Sequence, residues 1–327
     1  PVAIDTLLNP DGTIQKIPQI GPASTRVILE VLRDGNSPIV DLAVEAAEPK
    51  IRADILRRRG LRANFLSRAA AEASMRTRTP GVPARADVRC DLQMHSDWSD
   101  GGQTLEEIIE TGISRDYTHC AVTDHSYGLP IAGGLSMERV AAQHQEIDRL
   151  NAKYRGRFRL LKGIEANIRA DGSVDMTPGE LAQMEIVVAA PHSTLRSSAD
   201  QTPRMIGAVQ TPGVHILGHP RGRMYGSRPG VAAEWERVFD AAAHAGVAIG
   251  LDGDPSRQDL DFELAARALP SGCLFAIDSD AHGTEQWWYA ETALAHARIA
   301  GIPRERVVNC WSLAKLLEWA EQRSRAA

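Results

Sequence analysis

The sequence has no apolar run of the roughly 18 to 20 residues that a membrane-spanning helix needs, and no secretory signal pattern opens it. Cysteine is scarce: Cys90, Cys120, Cys273 and Cys310 lie far apart and form no C-x-x-C pair. This spacing indicates neither a disulfide framework nor a thiolate zinc site, so we expect small buried apolar residues at these positions. Together these absences predict a cytoplasmic protein with no membrane partner.

Positive charge is in slight deficit over the whole chain, which carries 37 Lys and Arg against 42 Asp and Glu and has a net charge of −5. An acidic balance normally argues against a nucleic-acid partner. Residues 50–89 are the exception, because they hold eleven basic side chains and three acidic ones, for a net charge of +8. This segment is either the solvated face of a helix or a contact surface for nucleic acid, and the sequence leaves both interpretations open.

The N-terminal part of the chain has a helical pattern. Residues 17–21 predict a tight turn, and the residues that follow place apolar side chains on one helical face up to Gly35, a typical helix C-terminus. The pattern resembles a helix-hairpin-helix element, in which backbone N–H groups bind a DNA phosphate. An αα-hairpin that only packs is the alternative interpretation.

The length of 327 residues allows one large domain with a smaller appendage. Helix-favouring sequence continues to residue 73, and Pro80, Gly81 and Pro83 then interrupt it. We therefore predict a small helical domain over residues 1–79, a linker over residues 80–86 and a single larger domain over residues 87–327.

Short apolar runs alternate with amphipathic helical stretches throughout the larger domain. The predicted strands are residues 88–95, 118–123, 158–165, 185–191, 214–218, 246–251 and 273–278. Capping boxes open two of the intervening helices, at Thr104 to Glu107 and at Thr177 to Glu180. Seven such repeats are too many and too regular for an open sheet with a side domain. The predicted fold class is therefore α/β, with a parallel barrel as the simplest closure.

Side chains that bind metals follow the apolar runs at six of the seven predicted strand ends. They are His95, Asp100, His125, Glu165, His192, His219, Asp280 and His282. A period of two in the first strand also places Asp91, Gln93 and His95 on one face and Leu92 and Met94 on the other. Since α/β folds collect ligands at the carboxyl ends of their strands, we expect these side chains to converge.

Imidazoles and carboxylates without thiolates suit Zn²⁺, Mn²⁺ or Fe²⁺. Eight candidate ligands are more than one tetrahedral ion uses, so several ions are predicted, with a carboxylate bridging two of them. Such clusters generate hydroxide near neutral pH and hold a phosphoryl group between the ions. The other five histidines, at positions 119, 144, 215, 244 and 296, lie inside helices or away from the strand ends, and we assign them no role.

The motifs around the candidate ligands resemble the PHP domain, a distorted (βα)7 barrel with a trinuclear metal site that occurs in histidinol-phosphate phosphatases and bacterial DNA polymerases. The likeness extends over residues 90–320 to the C-terminal half of bacterial family X DNA polymerases, and the helix-hairpin-helix resembles the start of those enzymes. No stretch between the two is long enough for the nucleotidyl-transfer palm. The motifs are residues 91–101, 123–125, 163–168, 192–193, 219–220 and 279–282.

The resemblance implies three metal positions, with one carboxylate bridging the first two. The implied ligands are residue 93, His95, Glu165 and Asp280 for the first ion, Glu165, His192 and His219 for the second, and Asp100, His125 and His282 for the third. The family has His where this chain has Gln93, and it usually has Glu at the position of Gly250. Because an amide oxygen is a poorer ligand for a transition metal than imidazole, we expect two or three ions, with the first weakly bound or absent.

An arginine close behind residues 219–220 is usual in the polymerase-type relatives, which makes Arg221 and Arg223 the candidate catalytic residues. A guanidinium beside the metals binds two phosphate oxygens at once, whereas a surface ion pair is the alternative. Trp287 and Trp288 offer a surface on which a base stacks, although packing of a helix on the barrel is the favoured interpretation.

The leading interpretation is a metal-dependent phosphoesterase acting on DNA, with metal-bound hydroxide as the nucleophile. The resemblance implies 3′-5′ exonuclease, abasic-site or 3′-phosphatase activity, and the helix-hairpin-helix and residues 50–89 would bind the strand. One alternative is a phosphomonoesterase for a small metabolite, of the histidinol-phosphatase type, which leaves the N-terminal domain unexplained. The other is a DNA-binding protein whose barrel is catalytically impaired by Gln93. The sequence identifies no protein partner.

Overall fold

A computed structural model describes residues 7–77 and 79–325 of the chain, so Arg78 of the basic segment lies outside the described residues. The N-terminal part forms four helices, α1 (Pro22–Asp34), α2 (Pro38–Ala46), α3 (Pro49–Gly60) and α4 (Arg68–Arg76). Proline begins the first three, at the position where a missing N–H costs no helical hydrogen bond. Gly35 ends α1 with a φ of 77°, as predicted. The helix-hairpin-helix and the domain boundaries remain predictions.

Six parallel strands lie in sequence order and form one curved sheet. They are β1 (His119–Val122), β2 (Arg159–Asn167), β3 (Ile186–Ala190), β4 (Ile216–Leu217), β5 (Ala248–Asp252) and β6 (Leu274–Asp278). Every strand pairs with its successor, as βα repeats require. The prediction of an α/β fold with a distorted parallel barrel is confirmed.

The first predicted strand, residues 88–95, closes the barrel without forming a regular strand. On one side it accepts hydrogen bonds from the backbone of β1 and its flanks, including Ala121 N to Asp91 O at 3.0 Å. On the other side the His95 N–H donates to Ala281 O at 2.9 Å, and Met94 forms an isolated parallel bridge with Ala281. The segment therefore lies between β1 and β6, where the barrel closes, and it pairs only partly with each neighbour. We call this line of closure the seam.

Asn309 fills the unpaired part of this seam. Its side-chain amide donates to Cys90 O at 3.1 Å and to Ile277 O at 2.8 Å, and its side-chain oxygen accepts the Ile277 N–H at 2.7 Å. The Arg89 N–H donates to the Asn309 carbonyl at 2.8 Å. One buried side chain thus replaces the ladder hydrogen bonds that a seventh regular strand would make.

Seven helices cover the outside of the barrel, and α12 (Leu313–Arg325) closes its bottom. The outer helices are α5 (Leu105–Ser114), α6 (Met137–Lys153), α7 (Pro178–Leu181), α8 (Thr202–Gln210), α9 (Trp235–Ala245), α10 (Phe262–Ala268) and α11 (Tyr289–Ile299). The capping boxes predicted for Thr104 and Thr177 are confirmed at the starts of α5 and α7. All four cysteines are free, and three of them are fully buried. None of the described helices is long and apolar enough to cross a membrane.

Successive side chains along each strand point alternately into two apolar cores, one outside the barrel and one inside it. Outward side chains pack under the helices, whereas the interior cluster fills the barrel and ends on Trp311, Leu316 and Trp319 at the amino ends of the strands. Leu92 belongs to this interior cluster, so its prediction on the face opposite Gln93 and His95 was wrong. The period of two fails because the segment is not a regular strand.

Replacing Asn309 with Ala should lower the free energy of unfolding by about 3 kcal/mol, because three buried backbone groups of the seam lose their partner. Urea denaturation followed by circular dichroism measures the change. Asn36→Ala is the control, since Asn36 is exposed and its loss should change stability by less than about 0.5 kcal/mol. Equal stability of the two variants would show that Asn309 does not hold the seam.

Candidate metal centre

Glu165, at the carboxyl end of β2, is the point on which the candidate ligands converge. Its buried carboxylate lies 3.0 Å from His192 Nε2 and 3.2 Å from both His95 Nε2 and His219 Nε2. The His125 ring nitrogen Nδ1 is 4.0 Å away. Four imidazoles from four different strand ends thus surround one carboxylate. The Glu165 side chain points into the barrel from β2, and closure of the barrel brings the other strand ends around it.

Asp280 and Asp100 extend the cluster in two directions from His95. Asp280, just beyond β6, lies 3.0 Å from His95 Nε2 and is held at a φ of 53°, which turns its carboxylate into the barrel. Asp100 lies on the solvent side, with oxygens 3.5 Å from His282 Nε2 and 3.7 Å from His125 Nε2. Its side chain is 35% exposed. The cluster therefore runs from the buried interior to the barrel mouth.

Three overlapping sets in this cluster place their donor atoms within 4.8 Å of one another, as ligands of shared metal ions require. The sets are His95, Glu165 and Asp280; His125, Glu165 and His192; and His95, Asp100, His125 and His282. His219 joins the second set through its contact with Glu165. The structure thus brings together all eight predicted His, Asp and Glu residues, and their role as ligands remains our proposal.

Residues behind the cluster orient the imidazoles. His192 Nδ1 lies 3.1 Å from Asn167 Oδ1, and His282 Nδ1 lies 2.8 Å from Asp280 O. Because those contacts use Nδ1 of each ring, Nε2 of each ring faces the carboxylates. Gln103 donates its amide N–H to His95 O at 3.0 Å. Such outer contacts fix ring orientation before a metal arrives.

The loop that carries Asp100 is held by Asp124, which directly precedes His125. One Asp124 oxygen accepts the Ser96 N–H at 2.8 Å and the Ser99 hydroxyl at 2.5 Å. The other accepts the Ser96 hydroxyl and the Gln143 amide, each at 2.6 Å. This buried carboxylate has every oxygen satisfied, so it acts as an anchor for the loop rather than as a free ligand.

The electrostatics of the cluster favour charge in spite of burial. Burial alone would raise the pKa of Glu165, but the surrounding histidines hold it well below its ordinary value. Burial opposes a charged His95, yet Asp280 and Glu165 raise its pKa well above the usual range. In contrast, burial lowers the pKa of His125 to about 4. The Glu165 carboxylate is therefore favoured in its charged form, with a charged imidazole at His95 and a neutral one at His125.

Divalent cations fit these residues. The Nδ1 atoms of His95 and His125 are buried and have no hydrogen-bond partner among the described residues. They face Asp100 at 3.8 Å and Glu165 at 4.0 Å, respectively. Imidazole and carboxylate donors without thiolates match Zn²⁺, Mn²⁺ or Fe²⁺. The unpartnered nitrogens and the buried anions are both satisfied when such an ion binds, because a cation is a stronger partner for them than a shared proton.

Gln93 occupies the position at which the resemblance expects a histidine ligand. Its amide nitrogen donates to Glu165 Oε2 at 2.9 Å, and its amide oxygen is buried without a hydrogen-bond partner in the described part of the chain. A half-turn of the amide exchanges the two atoms, which would direct the oxygen towards Glu165. Gln93 therefore reaches the cluster, and its contribution to metal binding remains a prediction.

The structure does not bring Arg221 and Arg223 to the cluster. Both guanidinium groups bind Asp261, each at 3.0 Å, and Arg223 is almost fully buried. Arg223 also donates to the carbonyl oxygens of Arg257 and Gln258. The two arginines thus hold loops together through ion pairs, although the pair made by Arg223 is buried and is not the surface pair of the alternative interpretation. Their assignment as catalytic residues gains no support from these contacts.

A different arginine lies at the centre. Arg257 Nη1 is 2.5 Å from Asp280 Oδ2 and 3.8 Å from Asp252 Oδ2, and its side chain is 24% exposed. Among the described residues, no other Lys or Arg forms an ion pair with a candidate ligand. Sequence reasoning missed it, although it lies in the loop after β5, the one strand end that supplied no candidate.

Trp287 and the remaining histidines take no part in the cluster. Trp287 is buried and donates its indole N–H to Gln103 Oε1 at 2.9 Å, so the prediction that it packs on the barrel is confirmed. Trp288 faces Arg68 of α4, with the guanidinium 5.0 Å from the ring centroid.

His215 lies in the barrel interior against Trp319, and His296 binds Gln258.

Comparison with known proteins places the chain among phosphoesterases, although no family model matches the sequence. The DNA polymerase/3'-5' exonuclease PolX of Bacillus subtilis (strain 168) is 36% identical over 227 residues, which are 69% of this chain and 40% of that protein. A probable phosphatase of Thermoanaerobacter sp. (strain X514) is 30% identical over 233 residues, 68% of this chain and 89% of that protein.

A solved structure of histidinol phosphate phosphatase from Lactococcus lactis subsp. lactis Il1403, complexed with zinc, L-histidinol and phosphate, gives a TM-score of 0.49 at 16% identity. It covers 65% of this chain and 94% of that one. The sequence relationship to the Thermoanaerobacter phosphatase spans nearly all of that protein. The chain therefore belongs to the PHP family of metal-dependent phosphoesterases.

Proposed function

We propose that this phosphoesterase hydrolyses phosphate esters in DNA, with 3′-5′ exonuclease, abasic-site or 3′-phosphatase activity. The observation that carries the proposal is the convergence, at the mouth of the barrel, of three overlapping ligand sets, two of which share Glu165. The 36% identity to PolX, whose name includes a 3'-5' exonuclease, supports DNA as the substrate. The match covers 40% of PolX, so only the activity of the corresponding part is proposed here.

We further propose that the eight clustered side chains hold two or three divalent ions, Mn²⁺, Zn²⁺ or Fe²⁺. Such ions, when bound, act as Lewis acids towards phosphate oxygens and make water acidic enough to attack near neutral pH. Glu165 is the carboxylate that belongs to two of the ligand sets, so it would be the residue shared by two ions. Asp100 is the most exposed of the ligands, so the set that contains it faces the side from which water and substrate enter.

Arg257 supplies a positive charge beside this centre. With Asp280 bound to a metal, the Arg257 guanidinium is available to donate two parallel hydrogen bonds to phosphate oxygens. It would orient the phosphate and offset the negative charge that grows during attack at phosphorus. Arg223 supports this role, since it donates to the Arg257 carbonyl oxygen at 3.0 Å and fixes the backbone of the loop.

A small-metabolite phosphomonoesterase is the second candidate. It is favoured by the Thermoanaerobacter phosphatase, of which the match covers 89%, and by the position of all candidate ligands within residues 93–282. The two candidates share the metal chemistry and differ in what lies beyond the scissile phosphate. Substrate preference therefore decides between them.

With Mn²⁺ present, the full chain should degrade 3′-labelled single-stranded DNA or cleave abasic DNA faster than it hydrolyses histidinol phosphate. His192→Ala should lower bound metal and reduce kcat/KM by more than about 100-fold, since even residues behind a ligand are worth 10- to 100-fold. His244→Ala, on the exposed face of α9, is the matched control. Metal analysis and gel assays measure both effects. Hydrolysis of histidinol phosphate with DNA left intact would establish the second candidate instead.

Gln93→His should increase metal affinity by roughly 10- to 100-fold, because it replaces an amide with an imidazole beside Glu165. Titration with Mn²⁺ followed by metal analysis measures the number of ions and their affinity. DNA cleavage by Gln93→His together with an inactive wild type would identify the natural chain as a binding protein with an impaired barrel. A variant that binds no more metal than wild type would contradict a ligand role for residue 93.

Arg257→Ala should lower kcat/KM for DNA by roughly 10- to 100-fold, because it loses hydrogen bonds to a charged phosphate and the offset to the charge that grows during attack. Arg257→Lys should restore part of the loss, since it keeps the charge and loses the paired donors. Arg237→Ala, on the surface of α9, is the control. Steady-state kinetics with metal analysis of each variant separate substrate binding from metal loss. If the kinetics of Arg257→Ala equal those of the wild type, Arg257 does not contact the substrate phosphate.

A further inference from the structure

Residues 61–66, which we call the strap, connect α3 to α4 along the rim of the barrel mouth. Leu66 forms two hydrogen bonds with the side chain of Gln258, its N–H donating at 2.7 Å and its carbonyl accepting at 2.9 Å. The Gly226 N–H donates to Leu61 O at 3.2 Å. The strap is thereby attached to the loop after β5 and to the loop after β4, both of which border the metal centre.

Arg223 joins the strap to the loop that carries Arg257. Its buried guanidinium donates to Ala63 O at 3.1 Å and lies 4.0 Å from the centroid of the Phe65 ring. The same guanidinium donates to Arg257 O at 3.0 Å. Because a buried charge keeps its partners, the strap and Arg257 hold a fixed relation to each other.

Next to the strap, an aromatic ring is exposed beside the centre. Tyr225 is 50% exposed, and its backbone N–H donates to Ser256 O at 2.8 Å, one residue before Arg257. Phe65 packs against the Tyr225 ring in a T-shaped arrangement, with the ring centroids 5.0 Å apart. Arg62 lies over the same ring at 5.6 Å. A ring that is held in place and open to solvent is suited to stacking on a base.

Positive charge continues from this ring along the end of α3. Residues 50–62 contain six basic side chains and one acidic one. The side chains of Arg57, Arg58 and Arg59 are each about half exposed, at 59%, 59% and 48%. They pair with Asp54 and Asp41, and such exposed pairs are weak, so phosphates compete with them effectively.

We propose that the strap, Tyr225 and the arginines that end α3 form a binding surface for single-stranded polynucleotide, which leads the end of the strand to the metal centre. The inference rests on the proposed DNA function and assigns its substrate class. Arginines contact the phosphates and Tyr225 stacks on a base, the combination that binds single strands. A small phosphate ester does not extend to this surface, and a duplex keeps its bases stacked inside.

The test uses the full chain and an oligo(dT) strand, with binding measured by fluorescence anisotropy over a range of salt concentrations. Arg58→Ala combined with Arg62→Ala should reduce the slope of log affinity against log salt by about 1.4, because each single-strand phosphate contact contributes about 0.7. The matched control is Arg155→Ala combined with Arg157→Ala, two exposed arginines that precede β2 at the opposite rim. Tyr225→Ala should weaken oligo(dT) binding roughly tenfold and leave duplex binding at the wild-type level.

The ratio of kcat/KM for single-stranded DNA to kcat/KM for bis(p-nitrophenyl) phosphate should fall at least tenfold in the Arg58/Arg62 pair and in Tyr225→Ala. If the wild type cleaves DNA but the test pair and the control pair have the same salt slopes and the same kcat/KM ratios, the proposed binding surface is wrong. The proposed function would then remain intact. A wild type that hydrolyses bis(p-nitrophenyl) phosphate and neither binds nor cleaves single-stranded DNA would overturn the proposed function itself.

Discussion

The buried carboxylate of Glu165 is the constraint on which the site depends. A lone carboxylate at the end of a barrel strand is costly to desolvate, and the protein offsets this cost with imidazoles from four other strand ends. Those imidazoles converge only when the barrel is closed, since they come from positions as distant as His95 and His219. Folding and site assembly are therefore the same event, and divalent ions bound by this cluster would stabilise the closed barrel.

The closing seam combines irregular strand pairing with two residues of the candidate centre, Gln93 and His95. Residues 88–95 lie between β1 and the end of β6 without a regular ladder, and Asn309 supplies the missing hydrogen bonds. The loss of regular alternation lets Leu92 fill the interior while Gln93 reaches Glu165. Irregular backbone at the seam thus brings Gln93 to the cluster.

The arginines around the mouth have different partners. Arg223 is buried and binds carbonyl groups of the strap and of the loop after β5, whereas Arg257, in that loop, forms an ion pair with the candidate ligand Asp280. Both sets of contacts involve the same loop, so the N-terminal helices and the candidate metal centre are mechanically connected. In the proposed function this connection keeps the polynucleotide surface aligned with the site of hydrolysis.

The sequence alone determined the class of fold, six of the strands and the convergence of eight His, Asp and Glu side chains. Each follows from local rules, since hydrophobic periodicity defines the strands and parallel strands collect their carboxyl ends at one rim. Only the tertiary structure decided that Arg257 pairs with Asp280 while Arg221 and Arg223 pair with Asp261, and that Asn309 closes the seam. Those outcomes depend on contacts between residues up to about 220 positions apart, such as Asn309 with Cys90, which no local pattern encodes.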